Sequence, residues 1–383
     1  MKILVVGAGI AGSAVALMLS RSGHDVAVVD AAPEPPTGGF LLLFDSVAME
    51  VFGQLGATSI AEQRSVPTPE ISIRINGRRL TSFMWPGARL ARRGALIGAL
   101  SRYVAETVSM TFGRKLTGIE QRLGSVLAHY EDGSHETYDL IVGADGVNST
   151  VRRLVIGPDD GMVYRNGRIH HWIRVPGTLA GTSRATVLLA NGVQCQFFPY
   201  PDQDATLLAT VIHAGDGRLE PAELLQASTD VLRRSGSEYA AFIERVNAVD
   251  PDSTRITRFT QVRTERWHAP RVVLVGDAAH CIDPLSGLGA HGGLLGAAIL
   301  TEELSRTPRD IWAASERYTR RTRRFVRPSQ LFTAALVEAS TGKGIRRYRT
   351  VVPDLVRASI SYRDVRVPSA PYAPHSALRT SVR

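Results

Sequence analysis

The sequence predicts an α/β protein in which a Rossmann-like domain is interleaved with a smaller domain built on an antiparallel sheet. A β-branched run near residue 3 leads into a glycine-rich turn, a helical stretch and a second strand. Two later apolar strands end in turns that carry glycine and aspartate, and the segment between them alternates apolar and polar residues. Strands separated by helices build parallel sheets, whereas consecutive alternating strands build antiparallel ones, so two different sheets are expected.

The composition limits the kinds of partner and metal site that can be expected. The chain has 383 residues with 45 Lys and Arg against 36 Asp and Glu, a net charge of +9. The densest basic run, residues 317–327, has helical spacing and is interpreted as a solvated helix face, because no nucleic-acid-binding motif accompanies it. We therefore expect no nucleic-acid partner. The cysteines, Cys195 and Cys281, are too few for a disulfide scaffold or a cysteine-based zinc site, and no metal is expected.

The first glycine motif has the context of a dinucleotide site. The apolar strand Ile3–Val6 runs into Gly7, Gly9 and Gly12, which open a helix, and the next strand ends at Asp30. Gly7 makes the turn, Gly9 lets backbone amides approach a pyrophosphate, and Gly12 allows the helix to pack closely on the sheet. The helix N-terminus adds positive potential. Asp30 can bind ribose hydroxyls and would repel a 2′-phosphate, so the motif favours FAD or NAD over NADP.

Two later segments carry the same kind of turn. Residues 138–153 contain an apolar strand that ends in Gly-Ala-Asp-Gly, with Asp145 as the acidic residue. Residues 271–304 contain a strand that delivers Asp277 to a loop, and a small-residue helix begins after that loop. Asp277 is placed to bind the hydroxyls of a polyol chain. The amides that open the helix, at Leu288 and Gly289, can point at an electron-poor ring and would stabilise negative charge on it.

Together these segments resemble the class A FAD-dependent aromatic hydroxylases, the para-hydroxybenzoate hydroxylase-like monooxygenases. The resemblance depends on GAGIAG at 7–12, GADGVNSTVR at 143–152 and GDAAHCIDPLSGLG at 276–289. Two weaker segments, 38–56 and 92–100, are similar to family segments that follow the second strand and form an arginine-containing helix. As a set, the motifs are specific for the FAD fold and less specific for the reaction.

The resemblance implies a set of cofactor contacts. They are Gly7, Gly9, Ala11 and Gly12 at the pyrophosphate, Asp30 at the adenosine ribose, Asp277 at the ribityl chain, Arg93 along the flavin, and Gly287, Leu288 and Gly289 at the pyrimidine edge of the ring. Asp145 is expected to support both FAD and nicotinamide chemistry. Pro284 is expected beside the ring where oxygen reacts, and it is one of two predicted catalytic residues.

The chain departs from the family pattern at three places. His291 stands where an asparagine is common, Gly296 and Ala297 replace an Asp-Ala pair, and Asp30 replaces the commoner glutamate. His291 lies one turn into the helix that faces the flavin, so a neutral imidazole there is the second predicted catalytic residue. The departures also keep an alternative open, a redox-silent FAD protein that acts as a cyclase or binds a ligand on the same fold.

The middle of the chain is predicted to form the substrate lid. Strands are expected near 168–175, 185–189, 193–198 and 205–213, followed by a helix over Pro221–Ser235. Alternation places two sets of side chains on common faces of these strands. The candidate substrate residues are His170, Trp172, Gln194, Gln196 and Phe198. Packing against helices is the competing interpretation, and the pattern does not say which face looks at the flavin.

These assignments give a discontinuous domain organisation. The FAD-binding domain is predicted over residues 1–68, 92–165 and 268–325, and the substrate-binding sheet domain over 69–91 and 166–267. No Gly/Ser-rich linker separates the two domains.

The remaining segment, residues 326–383, is predicted to hold C-terminal helices and a mobile tail. Helices are expected over 330–340 and 351–357. The tail begins at Val367, where prolines are frequent and acidic residues are absent.

The function implied by the resemblance is a FAD-dependent monooxygenase, an oxidoreductase that uses NADH or NADPH and O2. It would insert one oxygen atom into an aromatic or polycyclic small molecule of secondary metabolism or antibiotic modification. Hydroxylation is expected first, and epoxidation and Baeyer-Villiger insertion stay open. The apolar run at residues 3–19 imitates a signal peptide or membrane span, but its glycines argue against both. We expect a cytoplasmic monomer or homodimer with no membrane span.

Overall fold

The computed structural model of the protein covers the glycine motifs and both predicted sheets. It describes residues 1–68, 70–85, 87–178, 185–201, 203–215, 217, 219–341 and 366–371. The predicted helix over 351–357 and most of the predicted tail lie outside the described residues.

The described residues form 21 strands and ten α-helices. The strands are β1 Lys2–Val6, β2 Asp25–Asp30, β3 Leu41–Phe44, β4 Ser65–Pro67, β5 Ile71–Ile75, β6 Arg78–Phe83, β7 Arg89–Arg92, β8 Ser109–Phe112, β9 Leu116–Arg122, β10 Ser125–Tyr130, β11 His135–Tyr138, β12 Leu140–Gly143, β13 Val163–Tyr164, β14 Arg168–Pro176, β15 Ala185–Ala190, β16 Val193–Pro199, β17 Ala205–His213, β18 Arg255–Arg258, β19 Gln261–Val262, β20 His268–Ala269 and β21 Val272–Leu274. The α-helices are α1 Ile10–Arg21, α2 Ser46–Gln54, α3 Thr58–Gln63, α4 Arg93–Ala105, α5 Thr150–Val155, α6 Pro221–Ser235, α7 Ala240–Asn247, α8 Asp277–His280, α9 Gly289–Arg306 and α10 Ile311–Ser340.

A six-stranded sheet forms the first layer of the fold, in the order β20-β21-β12-β1-β2-β8. Strand β1 pairs in parallel with β2 and with β12, and β12 pairs in parallel with β21. Nearly all side chains of the central strands β1, β12 and β21 are buried, which is why these strands read as continuous apolar runs. Helix α1 packs on β1 and β2, and α9 packs on α1. Because β1, β12 and β21 are neighbours and parallel, their carboxyl ends meet at one edge of the sheet.

A seven-stranded sheet forms the second layer, in the order β18-β14-β17-β16-β15-β5-β6. Its pairings are antiparallel except for β15 with β5. Helices α6 and α7 cover one face, where Ile173, Phe197 and Leu208 pack against Leu232 and Phe242. The predicted class, a Rossmann-like α/β domain interleaved with an antiparallel-sheet domain, is therefore confirmed, and the predicted helix Pro221–Ser235 is α6.

Helix α10 follows the parallel-sheet domain and extends to the second sheet. It runs without interruption through residue 326, where a domain boundary was expected, and it includes the helix predicted over 330–340. Its basic face is not simply solvated: Arg317 and Arg321 both pair with Glu303, whose side chain is buried. Residues of α10 near its end, including Val337, pack against the second sheet. No helix in the described part of the chain combines the length and apolar composition needed to cross a membrane.

Candidate cofactor and substrate site

The glycine motifs converge at the carboxyl ends of β1, β12 and β21. A Cβ atom built on Gly12 would lie 1.8 Å from the Gly7 carbonyl oxygen, and one built on Gly7 would lie 2.5 Å from the Ala144 carbonyl oxygen. A Cβ on Gly276 would lie 2.8 Å from the Cβ of Ala11. These distances are shorter than van der Waals contact, so glycine is required for the three loops to pack together.

Two other motif glycines leave open space beside the backbone. A Cβ on Gly9 would meet no protein atom within 4 Å, and a Cβ on Gly289 would meet only Asp277 Oδ1, at 3.8 Å. The protein's own packing does not explain glycine at these positions, whereas a ligand lying against the backbone does. Both residues stand at the start of a helix, α1 or α9, and neither helix has a side-chain cap. The amides of their first turns can therefore bind an anion, whereas the Leu288 amide, directly before α9, donates to Ser286 Oγ.

The acidic residues of the first and third motifs stand at the same edge. Asp30 accepts a hydrogen bond from the Ala8 amide at 2.7 Å and one from the Ala32 amide at 2.8 Å. The carboxylate thus holds the glycine turn and still has lone pairs for a ribose hydroxyl. Asp277 begins α8 and is exposed at its surface; desolvation by the neighbouring chain raises the pKa of its carboxyl group, and the Arg93 guanidinium opposes the increase. Arg93 and Asp277 are therefore electrostatic neighbours, as binding along one flavin would require.

The second motif is fixed by side chains that close its turn. Asp145 accepts hydrogen bonds from the Thr150 and Val151 amides and from the Ser149 hydroxyl, and so it caps α5. Its role toward FAD and nicotinamide stays a prediction.

Arg152, which was not among the predicted site residues, is fully buried in α5. It donates to the carbonyl oxygens of Val147 and Ala278 and pairs with Asp159. This guanidinium joins the second motif to the third. The signal available in the sequence was a charged residue at the last position of the second motif, GADGVNSTVR.

The third motif loop contains two backbone conformations that favour glycine. Pro284 begins a single 3-10 turn, and Gly287 ends it in the left-handed region with φ of +66°. Asp283, immediately before Pro284, also has a positive φ, +89°. Its buried carboxyl group accepts hydrogen bonds from the amides of Thr260 and Leu285, and burial raises its pKa to about 8. Asp283 therefore fixes the turn that presents Pro284 and Leu285. Sequence reasoning missed it.

His291 lies in the first turns of α9 and is buried. Its Nδ1 atom is 2.9 Å from Asp45 Oδ1 and 3.0 Å from Asp45 Oδ2, and its ring stacks on Phe325 with centroids 4.5 Å apart. Asp45, missed by the sequence reasoning, also accepts a hydrogen bond from the Ala48 amide at the start of α2. The carboxylate fixes the orientation of the imidazole, and the catalytic role of His291 stays a prediction, as does that of Pro284.

The second sheet faces the motif loops with the side chains proposed for the substrate. Trp172 stacks on Phe40 with ring centroids 4.9 Å apart, and its Nε1 donates to Thr257 Oγ1. The same apolar cluster contains Phe198 and Leu285, which follows Pro284. The candidate residues on this face are His170, Trp172, Gln194, Gln196 and Phe198. The structure thus decides the point that alternation left open, because α6 and α7 cover the opposite face.

The family model for a FAD binding domain matches residues 1–324. The chain belongs to this family. Curated relatives include a flavin-dependent monooxygenase of Legionella longbeachae serogroup 1 (strain NSW150), 28% identical over 344 residues that cover 86% of this chain and 87% of the relative. The FAD-dependent monooxygenase asL6 of Sarocladium schorii is 27% identical over 388 residues, with 86% of each chain covered.

Solved structures share the whole fold. Tetracycline destructase Tet(51) superposes with a TM-score of 0.71 at 25% identity, covering 96% of this chain and 98% of its own. Klebsiella pneumoniae HpxO, complexed with FAD and uric acid, gives a TM-score of 0.77 at 22% identity, covering 94% of this chain and 93% of its own. The protein is an oxidoreductase of the FAD-dependent monooxygenase family, with the resemblance to para-hydroxybenzoate hydroxylase-like enzymes confirmed and FAD as its cofactor.

Proposed function

We propose that this flavoprotein uses NADH or NADPH and O2 to insert one oxygen atom into an aromatic or polycyclic small molecule, with hydroxylation as the expected outcome. The supporting observation is the meeting of two surfaces. The glycine loops of the parallel sheet leave space at Gly9 and Gly289, and an aromatic face of the second sheet, with Trp172 and Phe198, lies against Phe40 and Leu285. FAD, when bound, would accept a hydride from the nicotinamide and react with O2.

The residues of the chain hold the cofactor and the substrate. Amides at the start of α1 and α9 lie at the ends of helices without side-chain caps, where they can bind the diphosphate and the electron-rich edge of the reduced ring. Asp30 and Asp277 would accept hydrogen bonds from ribose and ribityl hydroxyls. Trp172, Phe40 and Leu285 form an apolar wall that excludes water, which protects reactive oxygen species from wasteful breakdown.

The names of the similar proteins support the substrate class. One solved relative is a tetracycline destructase, another was crystallised with uric acid, and both ligand names refer to small ring compounds. We infer a ring compound as substrate here, in secondary metabolism or in antibiotic modification.

The test measures NAD(P)H oxidation and the incorporation of oxygen into the product in the same assay. The purified protein is expected to contain flavin, to oxidise NADH or NADPH faster when a suitable aromatic compound is added, and to place label from labelled O2 in the product. Asp277→Ala should lower FAD occupancy and activity in parallel, whereas the exposed Asp160→Ala should change neither. Flavin binding without substrate-stimulated NAD(P)H oxidation would favour the redox-silent alternative, and a protein that does not bind FAD would refute both.

A further inference from the structure

A buried carboxyl–imidazole contact joins the loop of the third motif to the second sheet. Asp283 Oδ1 lies 3.7 Å from His170 Nε2, and neither side chain has exposed surface. Asp283 comes directly before Pro284, whereas His170 belongs to β14. The contact therefore connects the turn that carries Pro284 with the antiparallel sheet.

The contact is slightly longer than a hydrogen bond. Both ring nitrogens of His170 are without a hydrogen-bond partner among the described residues, although buried polar groups are almost always paired. A shift of less than about 1 Å would bring Asp283 Oδ1 within hydrogen-bond distance of Nε2. Asp283 is thus the partner that the protein itself can offer to His170.

The carboxyl group of Asp283 has no cation beside it. It accepts hydrogen bonds from the amides of Thr260 and Leu285, and no lysine or arginine in the described part of the chain forms an ion pair with it. Burial raises its pKa to about 8, and the negative charge of Asp277 acts in the same direction. The neutral carboxyl group is therefore the main form at pH about 7, and its proton is available to His170 Nε2.

The other groups packed on the pair are neutral. Burial lowers the pKa of His170 to about 3, and burial raises the pKa of the Cys281 thiol on α8. Helix α10 contributes the apolar residues Ala334 and Val337, and the ring of Phe259 meets the imidazole edge to face. As the pH rises from about 7 to about 9, Asp283 is the group of this set that gains charge.

The turn beside Asp283 is strained and lies near the surface. Asp283 has a φ of +89°, which residues with a side chain rarely adopt. Pro284 is exposed, and Leu285 is half-buried. A small outward movement of the turn would bring an ionised Asp283 to water and would release the strained conformation.

We propose that Asp283 and His170 form a pH-sensitive latch between the Pro284 turn and the second sheet. In the closed latch the protonated carboxyl group donates to His170 Nε2, and the imidazole carries its own proton on Nδ1. Ionisation passes the carboxyl proton to solvent and leaves a buried charge without a cation, so the turn opens. Asp283 and His170 are positioning residues, and the latch regulates the cofactor site without taking part in the chemistry.

Titration of the deflavinated full-length chain with FAD tests the latch, because the Pro284 turn is predicted to lie beside the flavin. Quenching of flavin fluorescence gives the affinity. The parent should bind FAD at least about fivefold more weakly at pH about 9 than at pH about 7. Asp283→Asn keeps a donor toward His170 and does not ionise, so its affinity should change less than about twofold. The exposed Asp160→Asn is the matched control and should keep the parental pH dependence.

Two further variants remove one side of the latch. Asp283→Leu has no donor and His170→Phe has no acceptor, so each should bind FAD about fivefold more weakly than the parent at pH about 7 and respond less to pH. His170→Gln keeps an acceptor and should restore most of the affinity. Circular dichroism shows whether each variant is folded, and where Asp283→Leu does not fold, the comparison of Asp283→Asn with the parent decides.

Three results would overturn the latch. They are a parental FAD affinity that is equal at both pH values, an Asp283→Asn variant that loses affinity as the parent does, and a folded His170→Phe variant with parental affinity and pH dependence.

The readout separates the latch from the proposed function, because FAD titration needs no NAD(P)H, O2 or substrate. Absence of oxygen insertion with a pH-dependent FAD affinity that Asp283→Asn removes would refute the reaction and keep the latch. Oxygen insertion with a pH-independent FAD affinity would refute the latch and keep the reaction.

Discussion

The two sheets of the molecule differ in which groups form their candidate sites. At the edge of the parallel sheet, Asp30 and Asp145 are satisfied by backbone amides, and glycines set the positions of the loops. On the antiparallel sheet the candidate residues contribute side chains, and the ring nitrogens of His170 and the Oε1 atom of Gln194 have no hydrogen-bond partner among the described residues. The loops of the predicted cofactor site are thus held by backbone contacts, whereas the face of the second sheet that meets them is formed by side chains. Backbone groups suit a cofactor that stays the same, whereas side chains suit a substrate that can differ.

The largest effect should come from filling the contact between motif loops. Gly12→Ala places a Cβ 1.8 Å from the Gly7 carbonyl oxygen, so the variant should lose at least about 3 kcal/mol of unfolding free energy and its FAD. Gly9→Ala meets no protein atom within 4 Å and is the matched comparison. It should fold with a change of about 1 kcal/mol or less and bind FAD at least tenfold more weakly.

Denaturant unfolding without FAD and flavin titration measure the two properties separately. Equal loss of stability in Gly9→Ala and Gly12→Ala would contradict the distinction between glycines that permit packing and glycines that leave space.

The next effect should come from the buried guanidinium of the second motif. Arg152→Met removes the donors to the Val147 and Ala278 carbonyl oxygens and the nearer of the two guanidinium partners of Asp159, whose other partner is Arg153. Unpaired buried groups cost about 1–3 kcal/mol each, so the variant should be about 2–4 kcal/mol less stable and should bind FAD more weakly. The neighbouring Arg153, which is partly exposed, gives the control Arg153→Met. Equal stabilities of the two variants would show that Arg152 does not join the motifs.

The pH dependence of stability should reveal the raised pKa of the Asp283 carboxyl group, which lies between the two sheets. Burial raises the pKa of Asp283 to about 8, whereas the pKa of an aspartate in the unfolded chain is about 3.9. Between these values the folded state binds more protons, so this group makes stability fall as pH rises, by at most about 1.4 kcal/mol per pH unit. Relative to the parent, Asp283→Asn should lose less stability between pH about 4 and about 8.

Urea titrations across this range, with Asp160→Asn as the exposed control, measure the slope. Parallel curves for Asp283→Asn and the parent would contradict a raised pKa.

His170 should show the opposite sign. Burial lowers its pKa to about 3, and an unfolded histidine titrates near about 6.5, so the unfolded state binds more protons between these values. The contribution of His170 to stability therefore increases as pH rises through this window, and His170→Gln should remove that increase. The same urea titrations measure it, and a stability difference from the parent that is independent of pH would contradict the assignment.

The smallest effect should come from a single polar contact on the substrate face. Trp172→Phe keeps a ring to stack on Phe40 and loses the hydrogen bond from Nε1 to Thr257 Oγ1, at a cost of about 1 kcal/mol. Trp312→Phe changes a tryptophan that is 46% exposed and should cost less. Thermal unfolding compares the two variants, and a larger loss for Trp312→Phe would indicate that the Trp172 hydrogen bond contributes nothing.

Sequence reasoning identified the cofactor region because its information is local. The strand, the glycine turn and the acidic residue lie within 30 positions, and each glycine has a backbone reason that can be stated from the motif itself. It missed Asp45, Arg152 and Asp283 because each has at least one partner far away in the chain: His291 is 246 positions from Asp45, Ala278 is 126 from Arg152, and Thr260 is 23 from Asp283. A long-range pair leaves no spacing pattern in a single sequence.

The sequence by itself determined the two sheets, the motif loops and the class of cofactor, because periodicity, glycine placement and turn chemistry act over short stretches of chain. Only the tertiary structure decided which face of the second sheet looks at the cofactor loops. It also placed His170 and Gln194 in one row and set Asp283 beside them. Those relations depend on strand register and on the packing of α6 and α7, which join residues far apart in the chain.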